Sequence, residues 1–299
     1  MQFLKNLLAS VLGTFIAIVL AFVFLFIIIA GVASSIDSTD VVNVRDKSVL
    51  TINLQKPITD RSPNQFELEA AFDLDAEAIG LDKILASIRA AKDDERIEGI
   101  SIEHTFLLSG MSQTQAIRDA LSNFKESGKF IYAYHDFYTQ KDYYLASVAD
   151  SVFVHPEGGV DISGLASEVL YLKEFQDITG IQMQVIRSGA YKSAVEPFLR
   201  DEMSDENRQQ IKSLLDSFWK EMLVKMEERK ALNSEKINEI ATNLDASVAE
   251  NAVKTGVIDN TLLRNEYKEL LRNQMELGCL LYTSPSPRDR SLSRMPSSA

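Results

Sequence analysis

Cysteine is almost absent from this chain of 299 residues. The single cysteine, Cys279, lies near the C-terminus, so residues 1–277 contain none. This absence excludes a disulfide framework and a thiolate metal site from those residues. A cysteine-free domain is also compatible with an oxidising compartment.

Positive charge is scarce as well. The chain has 31 lysine and arginine residues against 43 aspartate and glutamate residues, a formal net charge of −12 at pH 7. Proteins that bind nucleic acid present a basic face to the phosphates, whereas the basic residues here are scattered. The composition therefore argues against nucleic acid as a partner.

Several common catalytic motifs are missing. The three histidines, His104, His135 and His155, have no metal-ligand spacing. The sequence contains no G-x-S-x-G elbow, although a Ser-His-Asp triad assembled by the fold stays open. No glycine-rich phosphate loop is present either. Gly158-Gly159 follows a predicted strand and is interpreted as a turn, with an oxyanion-binding loop as the alternative.

One long hydrophobic run is present. Residues 6–36 carry no charged side chain, and the run exceeds the roughly 20 residues needed to span a bilayer. Lys5 precedes it, and Asp37 and Asp40 follow, which by the positive-inside rule places the N-terminus in the cytoplasm. A cleaved signal peptide is the alternative, but its apolar stretch is typically about 7–15 residues. We predict a single-pass anchor in the cell inner membrane with a periplasmic or otherwise extracytoplasmic domain.

The residues after this run alternate between strand and helix patterns. Such alternation predicts an α/β fold with a largely parallel sheet. Strands are predicted at 47–55, 97–106, 129–137 and 151–156, and helices at 81–94, from the N-cap Ser112 to Glu126, and at 141–149. After Gly164 the pattern predicts helices at 167–178, Ser204–Lys230, 234–243 and 246–255, a strand at 181–189, and a turn at Gly256.

The most distinctive segment is RSGAYKSAVEPFLRDEMSDENR, residues 187–208. Lys192 follows a flexible Ser188-Gly189 pair and has small and apolar residues on both sides. Such neighbours can desolvate an amine and favour its neutral form, which serves as a general base. The alternatives are a solvated lysine or one paired with Glu196, although Pro197 argues against a regular helix through that pair.

The stretch YKSAVEPFLRDEMS resembles the lysine motif of the long-form signal peptide peptidase family, the protease IV or SppA type. YYLASVAD, SVFVHPEGGVDISGL and ENAVKTGVID also resemble that family and follow its order, so the resemblance extends to about residue 277. It implies a ClpP/crotonase-like α/β domain, duplicated in the long form. It also implies a Ser-Lys dyad endopeptidase that degrades cleaved signal peptides in the membrane without a metal or organic cofactor. Lys192 matches the family's general base, and the halves are implied to form a bowl-shaped homo-oligomer.

One departure from the family concerns the nucleophile. The family's serine is supplied by the C-terminal half, in a small-residue stretch before a helix. The corresponding stretch here begins at Gln140, and an amide cannot attack a carbonyl. We therefore expect this chain to carry the base without the serine and to be inactive alone. Ser147, Ser163, Ser188 and Ser193 remain alternative nucleophiles, although caps and turns are commoner roles for serine.

The C-terminal segment differs in composition from the rest. From Gly278 it is rich in serine, proline and arginine, and CLLYTSPSPRD resembles an out-of-frame translation of a library adapter. A disordered terminus is the alternative. We predict an anchor with its flank at 1–36, a ClpP/crotonase-like domain at 44–277 and an artefactual or disordered tail at 278–299, with the true gene continuing past Leu277.

The predicted partners are apolar signal peptides, membrane lipid and the serine-bearing half. One competing function is a non-catalytic, membrane-tethered scaffold or peptide-binding half. Another is an acyl-CoA enzyme of the crotonase type, which shares the fold but is disfavoured by the membrane anchor and the lysine motif.

Overall fold

The computed structural model describes residues 2–36, 44–62, 78–103, 106–181, 183–186, 188–189, 191–229 and 231–275. His104 and the predicted tail at 278–299 lie outside the described residues. Helices and parallel strands alternate along most of the domain, which confirms the predicted α/β class.

The hydrophobic run forms helix α1, Gln2–Ile36. Within it, Lys5–Ile28 is long and apolar enough to cross a membrane, and none of this stretch is buried in the rest of the chain. An apolar helix that is not buried in protein requires an apolar environment such as the bilayer. A signal sequence near the N-terminus passes the same test of length and composition, so α1 is compatible with both predicted alternatives.

The main sheet has five strands in the order β1-β4-β5-β6-β7, and every neighbouring pair is parallel. A separate parallel pair is formed by β2 and β3. The strands are β1 Ser48–Ile52, β2 Ile58–Thr59, β3 Ile79–Gly80, β4 Ile97–Ile102, β5 Phe130–His135, β6 Ser151–Val154 and β7 Asn260–Thr261.

The helices follow the strands in an order typical of parallel sheets. After α1 they are α2 Leu81–Asp93, α3 Met111–Lys125, α4 Gln140–Ala146, α5 Lys173–Thr179, α6 Glu196–Leu199, α7 Asp205–Met226, α8 Ser234–Asn243, α9 Ala249–Thr255 and α10 Arg264–Gln274, with a short 3₁₀ turn at Ser193–Val195.

Strand β5 shows why both faces of the sheet are covered. Its side chains alternate, so Ile131 and Ala133 enter the main core, whereas Tyr134 enters a second cluster. The main core also takes its buried residues from α2, α3, α4, α7, α8 and α9. The second cluster is closed by Tyr267 and Leu271 of α10.

Tyr267 fastens α10 to the sheet by two contacts. Its ring stacks on Tyr134 at 4.8 Å between centroids, and its hydroxyl lies 2.7 Å from Ser101 Oγ on β4. Burial raises the pKa of the Tyr267 phenol, which therefore stays neutral. A neutral hydroxyl can share this buried hydrogen bond without the cost of burying a charge.

Arg118 is a charged side chain inside the main core. It is fully buried, and it donates to the carbonyl oxygens of Tyr144 at 3.1 Å and Lys225 at 2.7 Å. Its guanidinium also forms an ion pair with Glu228 at 3.0 Å. These bonds join α3, α4 and the end of α7, and they offset the cost of removing the guanidinium from water.

Three local predictions were wrong. Helix α3 begins at Met111 after Gly110, so Ser112 is not its N-cap; the Gly110 amide instead donates to Gln113 Oε1 at 3.0 Å. The helix predicted at 167–178 begins only at Lys173. In 181–189 the described residues form no strand, and the Met183 amide donates to the side chain of Gln176 in place of a strand partner.

Other predictions were confirmed. The helix predicted at Ser204–Lys230 is present as α7, Asp205–Met226, and Ser204 is its N-cap, where its Oγ accepts a hydrogen bond from the Asn207 amide at 3.2 Å. Helix α8 has the predicted bounds, and Gly256 ends α9 in the left-handed conformation with φ of 78°. Trp219 of α7 packs against the main core, and its indole nitrogen donates to Asn238 at 2.8 Å.

Replacing Leu121 by alanine should test the main core. Leu121 of α3 is 0% exposed, so its loss leaves a cavity, and we expect the free energy of unfolding to fall by about 2–5 kcal/mol. Urea unfolding of the detergent-solubilised chain measures the change. Leu108→Ala, at a 50% exposed leucine, is the matched control and should change little. Equal effects of the two variants would contradict the packing described here.

Candidate active site

Lys192 lies immediately before the 3₁₀ turn at Ser193–Val195. The chain then enters α6, with Pro197 in the first turn. No regular helix runs from Lys192 to Glu196, as the proline predicted. Lys192 and Tyr191 are both exposed, so the described chain does not itself supply the desolvated surroundings expected for the lysine.

A shallow groove lies beside Tyr191, the residue before Lys192. It has a volume of about 510 Å³ and is formed by Tyr191 and one face of α7. The α7 residues that line it are Gln209, Gln210, Ser213, Leu214 and Ser217.

Glu196 anchors the chain that follows Lys192. It is 1% exposed, and its carboxylate accepts hydrogen bonds from Ser204 Oγ at 2.5 Å and Asn207 Nδ2 at 3.1 Å. The Ser204 amide donates to it as well, at 3.3 Å. These hydrogen bonds, led by that of the Ser204 hydroxyl, hold the pKa of Glu196 below its usual value because they favour the charged form.

Gln176 of α5 makes a second polar anchor. It is 8% exposed, and its Nε2 donates to the carbonyl oxygen of Phe198 at 2.9 Å. Its Oε1 accepts from the Met183 amide at 3.0 Å. The Leu172 amide reinforces the contact by donating to the Pro197 carbonyl at 2.7 Å. Neither Gln176 nor Glu196 was identified from the sequence as a site residue, although Glu196 was named as an alternative partner of Lys192.

Gln140, which the sequence resemblance suggested as the counterpart of the family's serine, has a structural role. It opens α4 after the N-cap Thr139. Its Nε2 donates to the Gly164 carbonyl at 3.0 Å, and its Oε1 accepts from the Ser163 and Gly164 amides at 3.1 and 2.9 Å. The amide side chain therefore closes the loop at 163–164.

The alternative serines do not form a recognisable nucleophilic centre. Ser147 is 2% exposed and donates to the Tyr144 carbonyl at 2.8 Å, which is a helix-end role. Ser163 and Ser188 are exposed, and Ser193 opens the 3₁₀ turn.

His135, His155 and Gly158 make contacts that stabilise the fold. His135 is buried, with its ring stacked on Tyr138 at 4.2 Å, and His155 Nδ1 accepts from the Glu157 amide at 3.1 Å. The Gly158 amide donates to the His155 carbonyl at 2.8 Å, so it belongs to a turn and does not face an oxyanion. A Cβ at Gly158 would lie 2.0 Å from the Asp136 carbonyl oxygen, which explains the glycine. Within the described ranges no group of three or more His, Cys, Asp or Glu side chains is placed to hold a metal ion.

Comparison with known proteins identifies relatives of the chain. The family model described as peptidase family S49 matches residues 123–278. The chain is 37% identical to Protease 4 of Haemophilus influenzae over 155 residues, which are 52% of this chain and 25% of that protein. It is 32% identical to Protease 4 of Salmonella typhi over 212 residues, 68% of this chain and 34% of that protein. It is 31% identical to the chloroplastic serine protease SPPA of Arabidopsis thaliana over 180 residues, 60% of this chain and 25% of that protein.

The chain thus spans about a quarter to a third of the length of the curated relatives that it matches. Among solved structures, an enoyl-CoA hydratase/isomerase family protein from Silicibacter pomeroyi has a TM-score of 0.44 and 12% identity. That match covers 78% of this chain and 81% of the other.

Replacing Gln140 by alanine should loosen the loop at 163–164. Three hydrogen bonds are lost, and two backbone amides lose their acceptor, so we expect a cost of about 1–3 kcal/mol. Hydrogen exchange read by mass spectrometry should show faster exchange at Ser163 and Gly164. Gln274→Ala, at an exposed glutamine of α10, is the control. Unchanged exchange in Gln140→Ala would contradict the structural role.

Glu196 should make the stability of the domain depend on acidic pH. Its pKa is lowered in the folded state, so its contribution is complete above the unfolded value of 4.5. That contribution is lost as pH falls below 4.5 and through the lower folded-state pKa. We expect the stability difference between the unmodified chain and Glu196→Gln to be largest near neutral pH and to shrink in acid. Urea unfolding across pH measures it, and a difference that grows in acid would reverse the assigned sign.

Proposed function

The chain belongs to peptidase family S49, and from that premise we propose that it is the lysine-bearing half of a membrane-anchored Ser-Lys endopeptidase. The family match and the names of the relatives support a serine peptidase. In the proposal Lys192 is the general base, and the serine nucleophile is supplied by sequence outside this chain. The observation that carries the proposal is Lys192 in its exposed position within the matched region.

The proposed mechanism uses the neutral amine of Lys192. It accepts the proton of the serine hydroxyl while the serine oxygen attacks the peptide carbonyl carbon. Backbone amides stabilise the resulting oxyanion, and the leaving amine takes the proton from the lysine as the peptide bond breaks. The lysine then accepts a proton from water as the water oxygen attacks the acyl-enzyme ester. It returns this proton to the serine oxygen as the ester bond breaks, which releases the acid product and restores both the serine hydroxyl and the neutral lysine.

The exposure of Lys192 supports the proposal that another polypeptide covers it in the active enzyme. A lysine is a general base only when neutral, and desolvation favours that form. The residues at 175–186 of the same chain also expose apolar side chains to solvent. These are Phe175, Ile178, Ile181 and Ile186, which are between 58% and 103% exposed. Exposed apolar surface of this kind is typical of interfaces. We propose that the serine-bearing half docks here and desolvates the lysine, and that the assembled halves form a homo-oligomer.

The anchor suits the proposed substrates. Helix α1 has the length and composition of a membrane span, and the charges at its ends favour a cytoplasmic N-terminus. A domain tethered on the other side of the inner membrane lies beside lipid and meets apolar peptides released from the bilayer. We propose cleaved signal peptides as the substrates.

A non-catalytic, peptide-binding half is the competing function. The hydrogen bonds of Gln140 to the 163–164 loop favour it, because the resemblance implies a serine at this position, and the glutamine found here is not a nucleophile. The two proposals differ in whether Lys192 is needed for hydrolysis.

Replacing Lys192 by alanine in the protein expressed from its complete coding sequence is the test. Loss of a general base should lower kcat/KM for an apolar, fluorescence-quenched peptide by at least about 100-fold. Lys220→Ala, at an exposed lysine of α7, is the matched control and should retain full activity.

Two results would contradict the proposal. Full hydrolysis by Lys192→Ala would remove the lysine from the mechanism. Hydrolysis by residues 1–277 alone, abolished by one serine substitution within them, would place the nucleophile in this chain.

A further inference from the structure

The residues at 191–199, here called the lysine segment, have little packing to hold them. Lys192, Tyr191 and Ala194 are exposed, and Gly189 before them adopts a positive φ of 94° with open space around its Cα. A segment with few buried apolar contacts has low local stability. A base must nevertheless be held close to its productive position, since a misplacement of about 1 Å can cost about 100-fold in rate.

Gln176 holds the chain on both sides of Lys192. Its amide accepts from the Met183 backbone at 3.0 Å, before the lysine, and donates to the Phe198 backbone at 2.9 Å, after it. Because one nearly buried side chain makes both contacts, it holds together the backbone before Lys192 and the backbone after it. The Leu172–Pro197 backbone bond at 2.7 Å adds a further tie between α5 and the lysine segment.

Glu196 holds the lysine segment from the other direction. Its buried carboxylate binds the side chains of Ser204 and Asn207, at the start of α7. Helix α7 is joined to the main core by Met222 and Met226. Glu196 therefore restrains the backbone four residues after Lys192 relative to the main core.

We propose that Glu196 and Gln176 are positioning residues that fix Lys192 for proton transfer. The inference rests on the proposed function, since it assumes that Lys192 is the base. Burial explains the strength of both anchors. Removal of either side chain leaves buried donors or acceptors without partners, whereas an exposed residue would exchange its contacts for water. Neither residue touches the substrate; each acts through the backbone that carries the lysine.

The test measures kcat and KM for an apolar peptide in the protein expressed from its complete coding sequence. For Glu196→Ala and Gln176→Leu we expect kcat to fall about 10- to 100-fold with KM changed less than about threefold, after correction for the folded fraction. Glu196→Gln keeps one acceptor oxygen and should recover part of kcat. Glu202→Ala and Gln274→Leu, at exposed positions, are the matched controls and should not change kcat.

A purely structural role would lower the melting temperature while kcat per folded molecule stayed unchanged, and that result would overturn the inference. If Glu196→Ala does not fold, Ser204→Ala removes the shortest bond to the same carboxylate and should lower kcat in the same direction. Lys192→Ala separates the two proposals. Loss of activity in it together with full kcat in both anchor variants would refute the positioning role alone, whereas activity in Lys192→Ala would refute the proposed function.

Discussion

The burial of both faces of the parallel sheet is the constraint on which the rest of the structure depends. Strand β5 sends Ile131 and Ala133 into the main core and Tyr134 into the second cluster. A parallel sheet with two apolar faces is stable only when each is covered. Most helices cover one face, and α10 covers the other with Tyr267, whose hydroxyl bonds to Ser101 on β4.

Polar groups inside this framework connect the helices to one another. Arg118 bonds to the backbone of Tyr144 and Lys225 and pairs with Glu228. Removing these carbonyls and the guanidinium from water is costly unless they bond to each other, so the contact favours one relative placement of the three helices. Helix α7 placed in this way holds the lysine segment at Glu196 through Asn207 and Ser204.

The lysine segment is organised differently from the domain that carries it. The sheet is held by apolar burial, whereas the residues around Lys192 are exposed and are anchored by Gln176 and Glu196. Buried hydrogen bonds position a backbone without covering the side chains on its outer surface. A segment built in this way can present a residue to another polypeptide and still hold its own conformation, which fits the proposed sharing of the active site between two halves.

The sequence predicted the helices and strands correctly wherever the local hydrophobic pattern agreed with the burial seen in the structure. Helix α8 and the Gly256 turn follow from local rules, as do strands β5 and β6. The strand predicted at 181–189 failed because apolar content alone does not supply a strand partner, and the Met183 amide bonds to Gln176 instead. The candidate base was recognisable from its motif. Its anchors Gln176 and Glu196 were not, because each bonds to residues that are well separated from it in the sequence.

The sequence by itself therefore determined the apolar N-terminal helix, the α/β class, the family and the absence of a nucleophile at Gln140. The helix and the fold class depend on composition and periodicity, and the glutamine's lack of a nucleophile on side-chain chemistry, whereas the family was recognised from the resemblance of short motifs. All of these are local features of the sequence. Only the tertiary structure decided that Gln140 closes the loop at 163–164 and that Lys192 is exposed. It also decided that Glu196 and Gln176 are buried, because burial and hydrogen-bond partners depend on which distant segments the folded sheet and helices bring together.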